Sequence, residues 1–485
     1  MKTSFPIDGI ALDRGCAVNL HRQLYAQLRQ MIERRVLPSG HALPSTRVMA
    51  RDLGVGRNTV IAACDQLALE GYLGISPRRP SVVRDLPSPS TPSDAVAADD
   101  GETISARGMV MLAQPFHHGR PGMLAFHPGM PDPDNFPFTT WSKLLSRRAK
   151  FAHLDLFGTY HVKGYPPLRE AIARYVTASR GVKCDAEQIV VTNGAQSAFD
   201  LLARLLIDDG DVVWMEEPGY YGAGSAFVSA GAKLAPLRVG DAGWNLQPPT
   251  SPPRLIFVTP SCHHPLGMTM PMEQRLNLIH MAEAWRSWII EDDYDGEYRF
   301  QGQPIPALQG ISASKRVVYV GTFAKILFPA MRLGFLVVPK AIGDTIEAAL
   351  SVSGQFAPLL TQAALADFMN EGHFTRHLRR SRRLYAERRV TFLEAAERHL
   401  GRWLQFRGGE SGIQIVGIFR DGRDDKPIVK AAHQQGINVS ALSIQYRHDA
   451  AQTGLVMGFA AVDPQTTEKT MQKLRSVLES HMPGR

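Results

Sequence analysis

The sequence predicts two domain types in series: a small helical domain with a β-hairpin wing, then a larger α/β domain on a mostly parallel sheet. Three observations carry this. Residues 11–84 are dense in short helical patterns, and residues 1–85 hold twelve Lys and Arg against seven Asp and Glu. Residues 85–118 begin Pro/Ser-rich and turn acidic, the composition of an extended linker. Residues 119–485 alternate strand-like and helix-like stretches, among them QIVVTNG, DVVWMEEP, RLIFVTP, SWIIEDD and RVVYVG, as helices covering both faces of a parallel sheet require.

Composition narrows the function classes. With 485 residues, 44% hydrophobic and 21% charged, the chain is globular and long enough for several domains. The net charge is +8, and its basic excess near the N-terminus points to nucleic acid there. MKTSFPIDGI has no apolar core of a secretory signal, and no run of about 18 apolar residues could span a membrane. Cys16, Cys64, Cys184 and Cys262 lie far apart, as free thiols in a reducing cytoplasm do. No metal site is expected, because the consecutive side chains of Cys262-His263-His264 diverge and no second ligand pair follows.

In the N-terminal domain Asn19 can cap a helix over Leu20–Val36, with Leu20, Leu24, Leu28, Met31 and Ile32 on one stripe. Ser45 caps a second helix that Gly54 ends. A third begins at Arg57, Asn58 and Thr59 and turns Val60, Ala63, Cys64 and Leu67 inward. Two short helices with a tight turn, the second starting with polar residues, follow helix-turn-helix logic, in which those residues reach the major groove. YLGISPRRPSVV can form a hairpin with Arg78 and Arg79 at its tip, a wing for the DNA backbone or minor groove.

The second domain poses a question at GTFAKILFPAMRLGFLVVP, where Lys325 stands alone among apolar residues. Either the lysine snorkels to the surface, or its amine is wanted neutral and nucleophilic. A carbonyl cofactor such as pyridoxal 5'-phosphate (PLP) would use a neutral amine. It also needs an acid for its ring nitrogen and donors for its phosphate. SWIIEDDYDGEY ends a strand with Asp292, and Tyr294 two residues on shares its face. IVVTNGAQSAFDLL is a strand, a turn and a helix, so Gly194, Ala195 and Gln196 would present N–H groups at a helix start. Arg332 and Thr322 add further phosphate donors, and Tyr220 in EEPGYYGA can stack on a ring. Each piece also has an ordinary reading: a solvated acidic loop, a surface ion pair, a core tyrosine.

Two resemblances tie the pieces together. LYAQLRQMIERRVLPSGHALPSTRVMARDLGVGRNTVIAACDQLALEGY resembles the GntR-type winged helix throughout. That implies DNA contacts from the LPSTR and GRNT motifs, and with the wing the candidate set is Ser45, Arg47, Arg57, Asn58, Thr59, Arg78 and Arg79. The wing tip departs from the family, with Pro77-Arg78-Arg79-Pro80 in place of glycines. The order of phosphate turn, stacking aromatic, Asp-x-Tyr, then Lys with Arg downstream resembles the fold-type I PLP enzymes, specifically class I and II aminotransferases, over about residues 125–465. By that resemblance Lys325 forms the Schiff base, and Arg332 and the helix dipole lower its pKa. Asp292, Tyr294, Arg332, Thr322, Gly194, Ala195, Gln196, Tyr220 and His264 surround the cofactor, and Tyr160 reaches the phosphate of the partner subunit. His264, in PSCHHPLG, takes the place of the family's asparagine. Val456 stands where a substrate-carboxylate arginine is expected, which leaves Arg447 as the nearest candidate.

A winged helix followed by an aminotransferase-like domain resembles the MocR-type transcriptional regulators, to which FHPGMPDPDNFP and HLRRSRRLYAERR are also similar. The resemblance implies a cytoplasmic, PLP-dependent homodimer, head-to-tail, that binds double-stranded DNA and senses PLP or a small amino compound. An aminotransferase with an accessory DNA-binding domain is the alternative. The seven arginines between Arg376 and Arg389 read as a solvated, ion-paired face or as a second DNA contact.

Overall fold

The computed structural model describes residues 9–74, 79–86, 104–114, 125–150, 154–158, 160–300, 302, 305–448 and 451–481. The chain divides into two compact units, Met1–Thr103 and Ile104–Arg485.

In the first unit α1 (Leu20–Glu33), α2 (Thr46–Asp52) and α3 (Arg57–Leu69) precede a hairpin of β1 (Leu73–Gly74) and β2 (Val82–Val83). The strands pair antiparallel, Leu73 opposite Val83. The helix expected over Leu20–Val36 ends at Glu33, where the chain turns out of the helix and Arg35 adopts a left-handed φ of 60°. Asn19 sits at the N-cap but makes no side-chain cap bond, whereas Ser45 Oγ accepts from the Val48 N–H at 3.4 Å. Leu24, Leu28, Met49, Val60, Cys64, Leu67 and Val83 form one buried cluster, so a single apolar face from each helix closes this unit.

The second unit begins inside the stretch expected to be an extended linker. There α4 (Ala106–Ala113) forms, because Ser105 caps it (Gly108 N–H to Oγ, 3.2 Å) and its sequence carries neither proline nor acid. Next come α5 (Phe138–Lys150), α6 (Leu154–Phe157) and α7 (Pro166–Arg180). The main sheet holds β3 (Ile189–Thr192), β4 (Val212–Glu217), β5 (Lys233–Gly240), β6 (Gly243–Trp244), β7 (Leu255–Val258), β8 (Trp288–Asp293), β9 (Val317–Thr322) and β10 (Gly334–Val337). Their order is β3-β10-β9-β8-β7-β4-β5-β6. The run β5-β4-β7-β8-β9 is parallel, and β10 runs antiparallel to both of its neighbours. The parallel strands read as continuous apolar runs because both faces are covered. Between them run α8 (Ala195–Leu206), α9 (Tyr221–Ser229), α10 (Met272–Trp285) and α11 (Leu308–Ile311).

Beyond the sheet, α12 (Gly343–Ser353), α13 (Leu359–Asn370) and the 28-residue α14 (His373–Leu400) lead to a smaller sheet. It comprises β11 (Leu404–Arg407), β12 (Gln414–Phe419), β13 (Ser440–Ala441) and β14 (Gly454–Gly458) in antiparallel order β11-β12-β14-β13, with α15 (Lys426–Gln434) and α16 (Pro464–His481). The arginine run on α14 is not a purely solvated face. Arg380 donates to the Asn135 carbonyl, Arg382 to the Glu297 carbonyl at 2.6 Å, Arg388 pairs with Asp132 at 2.8 Å, and Arg389 lies over the Phe300 ring. These four hold the loops packed against the helix.

One ion pair fixes the end of β8. Arg180 closes α7 and is buried, its Nε 2.5 Å from Asp293 Oδ2, which also accepts from the Tyr319 hydroxyl at 2.7 Å. Removing one partner strands a buried charge. Arg180→Met should therefore destabilise the second unit by about 3–5 kcal/mol, read as a lower midpoint for its calorimetric transition.

Candidate functional site

Five strands of the main sheet end at one edge, and each delivers a piece of the site. Parallel sheets leave a crevice at their carboxyl ends, so the topology itself gathers these residues. After β3 the chain turns through Gly194 (φ 86°), the N-cap residue of α8, so that Ala195 and Gln196 open that helix. After β4, Tyr220 caps α9, and Gln196 Nε2 donates to the Gly222 carbonyl at 2.8 Å, which ties the two turns. After β7 comes Cys262-His263-His264. These three side chains separate: His263 packs edge-on to Trp244, Cys262 Sγ lies 3.6 Å from the Tyr294 hydroxyl, and His264 stands between Tyr220 (5.4 Å) and Tyr294 (5.8 Å). Asp292 lies on β8, one residue before its end, and Thr322 ends β9.

The phosphate-side residues converge through β10. Gly334 pairs with Thr322 on one side and Thr192 on the other. A Cβ on Gly334 would come within 3.0 Å of the Gly194 carbonyl carbon and 3.1 Å of the Ala195 nitrogen, so only glycine lets the α8 turn approach. Arg332, two residues earlier, adopts φ 51° and is exposed, its guanidinium carbon 3.9 Å from where a Gly194 Cβ would lie. Thr322 Oγ1 accepts from the Ala324 N–H at 3.2 Å, and its hydroxyl proton is left to donate. Tyr160 is 82% exposed, beside Phe356.

Lys325 follows β9 directly. Burial holds its amine below the ordinary lysine value, against the pull of Asp295 and Asp292, which favour the charged form. The expected cause, positive charge from Arg332 and a helix dipole, is replaced by desolvation. Gly129 makes room for the amine: a Cβ there would lie 2.6 Å from Nζ. Asp292 is buried and its Oδ1 has no hydrogen-bond partner. Burial, then Asp293 and Glu216, push its carboxyl well above the usual range, so it calls for a cationic partner. Burial and the nearby Lys325 push His264 down to about 4, so its ring is neutral and offers one donor and one acceptor.

Sequence reasoning passed over several neighbours. Asp295 is buried, accepts from the Ile413 N–H at 2.9 Å and is pushed up to about 7 by burial while Lys325 pulls it down. Gln414 Nε2 lies 3.4 Å from His264 Nδ1, and His127 loses basicity through burial and the charge of Lys325. The run EDDYDGEY was the available signal for Asp295 and FHPGMPDPDNFP for His127 and Gly129; Gln414 had none beyond its place in the fold. Arg447, the expected nearest carboxylate clamp, is engaged elsewhere. It lies 4.4 Å over the Tyr221 ring and donates to the Tyr221 carbonyl and Ser225 Oγ, both at 3.2 Å. Val456 is a buried core residue of β14.

In the winged helix Arg47, Arg57 and Asn58 are exposed and Thr59 is half-buried at the start of α3. Arg57 Nε donates to Thr46 Oγ1 at 3.4 Å, which joins the starts of α2 and α3. Ser45 is exposed but acts as the cap of α2, and Arg79 is exposed beside β2. Arg78 lies outside the described residues.

A lysine and an aspartate facing one crevice at the carboxyl ends of a β3-β10-β9-β8-β7-β4-β5 sheet define a fold-type I, aminotransferase-like domain, here joined to a winged helix. Comparison with known proteins agrees. Residues 129–474 match the family model for aminotransferase class I and II, and residues 20–83 match that for bacterial regulatory proteins of the gntR family. The chain is similar to the probable rhizopine catabolism regulatory protein MocR of Rhizobium meliloti, 49% identical, with 96% of this chain and 95% of that protein covered. It is 30% identical to the pyridoxine biosynthesis transcriptional regulator PdxR of Corynebacterium glutamicum, over 94% of this chain and 95% of that one. In fold it resembles the kynurenine aminotransferase of Pyrococcus horikoshii, with a TM-score of 0.69, 24% identity, and coverage of 81% of this chain and 97% of that one. The chain belongs to the MocR-type transcriptional regulators, a gntR-family DNA-binding domain fused to a class I and II aminotransferase domain.

The residues fit PLP. The orphaned Asp292 Oδ1 suits a protonated ring nitrogen, the Lys325 amine has space beside Gly129, and the α8 turn offers N–H groups to a phosphate. Asp292→Asn keeps the volume and removes the anion. We expect it to weaken PLP binding by at least about tenfold, a loss of about 1.4 kcal/mol, measured by titrating visible absorption.

Proposed function

We propose that this chain is a PLP-dependent regulator whose second unit captures PLP through Lys325 and reports that state to the DNA-binding unit. The observation that carries this reading is the facing pair Lys325 and Asp292, on one chain with a gntR-type winged helix. PLP, when bound, supplies an aldehyde for which a lysine and an effector amine compete. The chain's own residues do the rest. Burial lowers the basicity of Lys325 and so favours its nucleophilic form, Asp292 would hold a proton at the ring nitrogen, and Tyr294 and His264 would offer hydrogen bonds to the ring oxygen. Tyr220 would stack on the ring, while Gly194, Ala195, Gln196, Thr322 and Arg332 would hold the phosphate.

The effector is PLP itself or a small amino compound. Val456 in the core and Arg447 engaged on α9 leave neither position to clamp a carboxylate, which favours sensing over turnover. Two relatives carry names from different small-molecule pathways, rhizopine catabolism and pyridoxine biosynthesis, consistent with one domain plan serving different ligands. The working form is a cytoplasmic homodimer, head-to-tail, on double-stranded DNA. Phe157, Tyr160 and Val352 are all exposed in the single chain, and a partner subunit would cover them, with Tyr160 reaching its phosphate. Two winged helices then read repeated half-sites. The domain boundaries that go with this reading are 11–84 for the DNA-binding part, 85–118 for the connection and 119–485 for the PLP part.

The DNA contacts are Arg47, Arg57, Asn58 and Thr59, with Ser45 setting the start of α2 and Arg78 and Arg79 on the wing. The test is binding of the full chain to DNA upstream of its own gene, by fluorescence anisotropy with and without PLP. Arg47→Ala should lose about tenfold in affinity, with PLP capture unchanged. Unchanged DNA affinity in that variant would remove the recognition assignment. Steady turnover of an amino donor with a keto acid would move the reading to an aminotransferase.

A further inference from the structure

Arg447 has a use other than carboxylate binding. The segment Gln445–His448 touches the candidate cofactor site at one end and the connecting stretch of the chain at the other. At its first residue the Gln445 carbonyl accepts from the Gly219 N–H at 3.0 Å, one residue before Tyr220, whose ring lies 5.4 Å from that of His264. In its middle, Arg447 spreads across α9. It stacks on the Tyr221 ring and donates to the Tyr221 carbonyl and Ser225 Oγ. Its other guanidinium nitrogen, Nη1, donates to Gln114 Oε1 at 3.3 Å. Gln114 is the C-cap residue of α4, the helix inside the stretch that leads back to the winged helix.

The anchoring is firm on one side and light on the other. Glu217 accepts the backbone N–H groups of Arg447 (3.3 Å) and His448 (2.7 Å) and pairs with His448 Nδ1 at 2.7 Å, so this segment moves with the turn that carries Tyr220. By contrast α4 is eight residues long and buries none of them; Met109, Met111 and Leu112 are exposed. Isolated helices of that length are marginal in water, so α4 depends on its seat against α9. A displacement of Tyr220 or His264 on ligand binding therefore reaches a helix with little stability of its own, through a planar group that holds three partners at once.

We propose that Gln445–His448, with Arg447 at its centre, is the coupling element that converts occupancy of the Lys325 site into docking or release of α4, and through α4 sets the connection to the DNA-binding unit. The proposal rests on the sensing function above. Arg447 is a positioning residue: it touches neither DNA nor cofactor, and it acts by holding α4 on α9.

The experiment uses the full chain and two variants, Arg447→Ala and Gln114→Ala. The second leaves the contacts of Arg447 to α9 in place and guards against a folding defect in the first. Three quantities are read: visible absorption for PLP capture, hydrogen exchange of residues 106–113, and the ratio of DNA Kd values with and without PLP. In the wild-type chain PLP should change exchange across α4 by at least about threefold. In both variants capture should persist, α4 should exchange fast with or without PLP, and the Kd ratio should fall to within about twofold of one. The proposal is overturned if PLP leaves α4 exchange unchanged in the wild type, or if either variant keeps the wild-type Kd ratio. If PLP shifts α4 exchange through Arg447 but leaves wild-type DNA affinity unchanged, the coupling to α4 stands and the regulatory reading falls.

Discussion

Burial of a run of carboxylates at the end of β8 is the constraint on which the site depends. Glu291, Asp292, Asp293 and Asp295 all lie away from solvent within five residues. An isolated carboxylate there is costly, so each needs a partner or a proton. Glu291 accepts the N–H groups of Leu308 and Gln309 at the start of α11, Asp293 takes Arg180 and Tyr319, and Asp295 takes the Ile413 N–H. Asp293 and Asp295 each engage one oxygen and leave Oδ1 without a partner, and Asp292 Oδ1 likewise has none. The bonds made by Glu291, Asp293 and Asp295 fix the backbone on both sides of Asp292, whose carboxylate suits a protonated ring nitrogen.

The same economy of charge shapes the other side of the crevice. Lys325 is poor in solvent and carries acidic neighbours, and desolvation wins in the balance, leaving the amine less basic than a surface lysine. His264 and His127 lose basicity for the same reason. A nucleophile of lowered basicity beside buried carboxylates suits a carbonyl cofactor that brings charged groups of its own.

Much of this was legible in the sequence, and the reasons differ by element. The parallel strands announced themselves as apolar runs closing in Asn-Gly, Glu-Glu-Pro or Asp-Asp, and those closings became the crevice. Lys325 was conspicuous because an apolar context makes a charge informative. Helix ends were less legible: Arg35 turns left-handed although nothing in its side chain favours that conformation. Arg447 was misjudged because sequence position gives proximity without orientation, and its guanidinium is committed to Tyr221, Ser225 and Gln114. The helix α4 was hidden inside a stretch whose composition is that of a linker. Gln414 was invisible because its importance arises from His264, 150 residues away.

Gly129 carries a consequence for how such a regulator can change over generations. Its left-handed φ of 63° disfavours a side chain, and a Cβ there would displace the Lys325 nitrogen 2.6 Å away. Glycine codons reach several bulkier residues by a single nucleotide change. Each of those changes would crowd the amine while leaving the winged helix, its fold and its operator untouched. On the sensing function proposed above, a lineage would thus pass in one step from a ligand-responsive switch to a fixed one. Selection for responsiveness then acts on a residue that contacts no DNA and supplies no functional group.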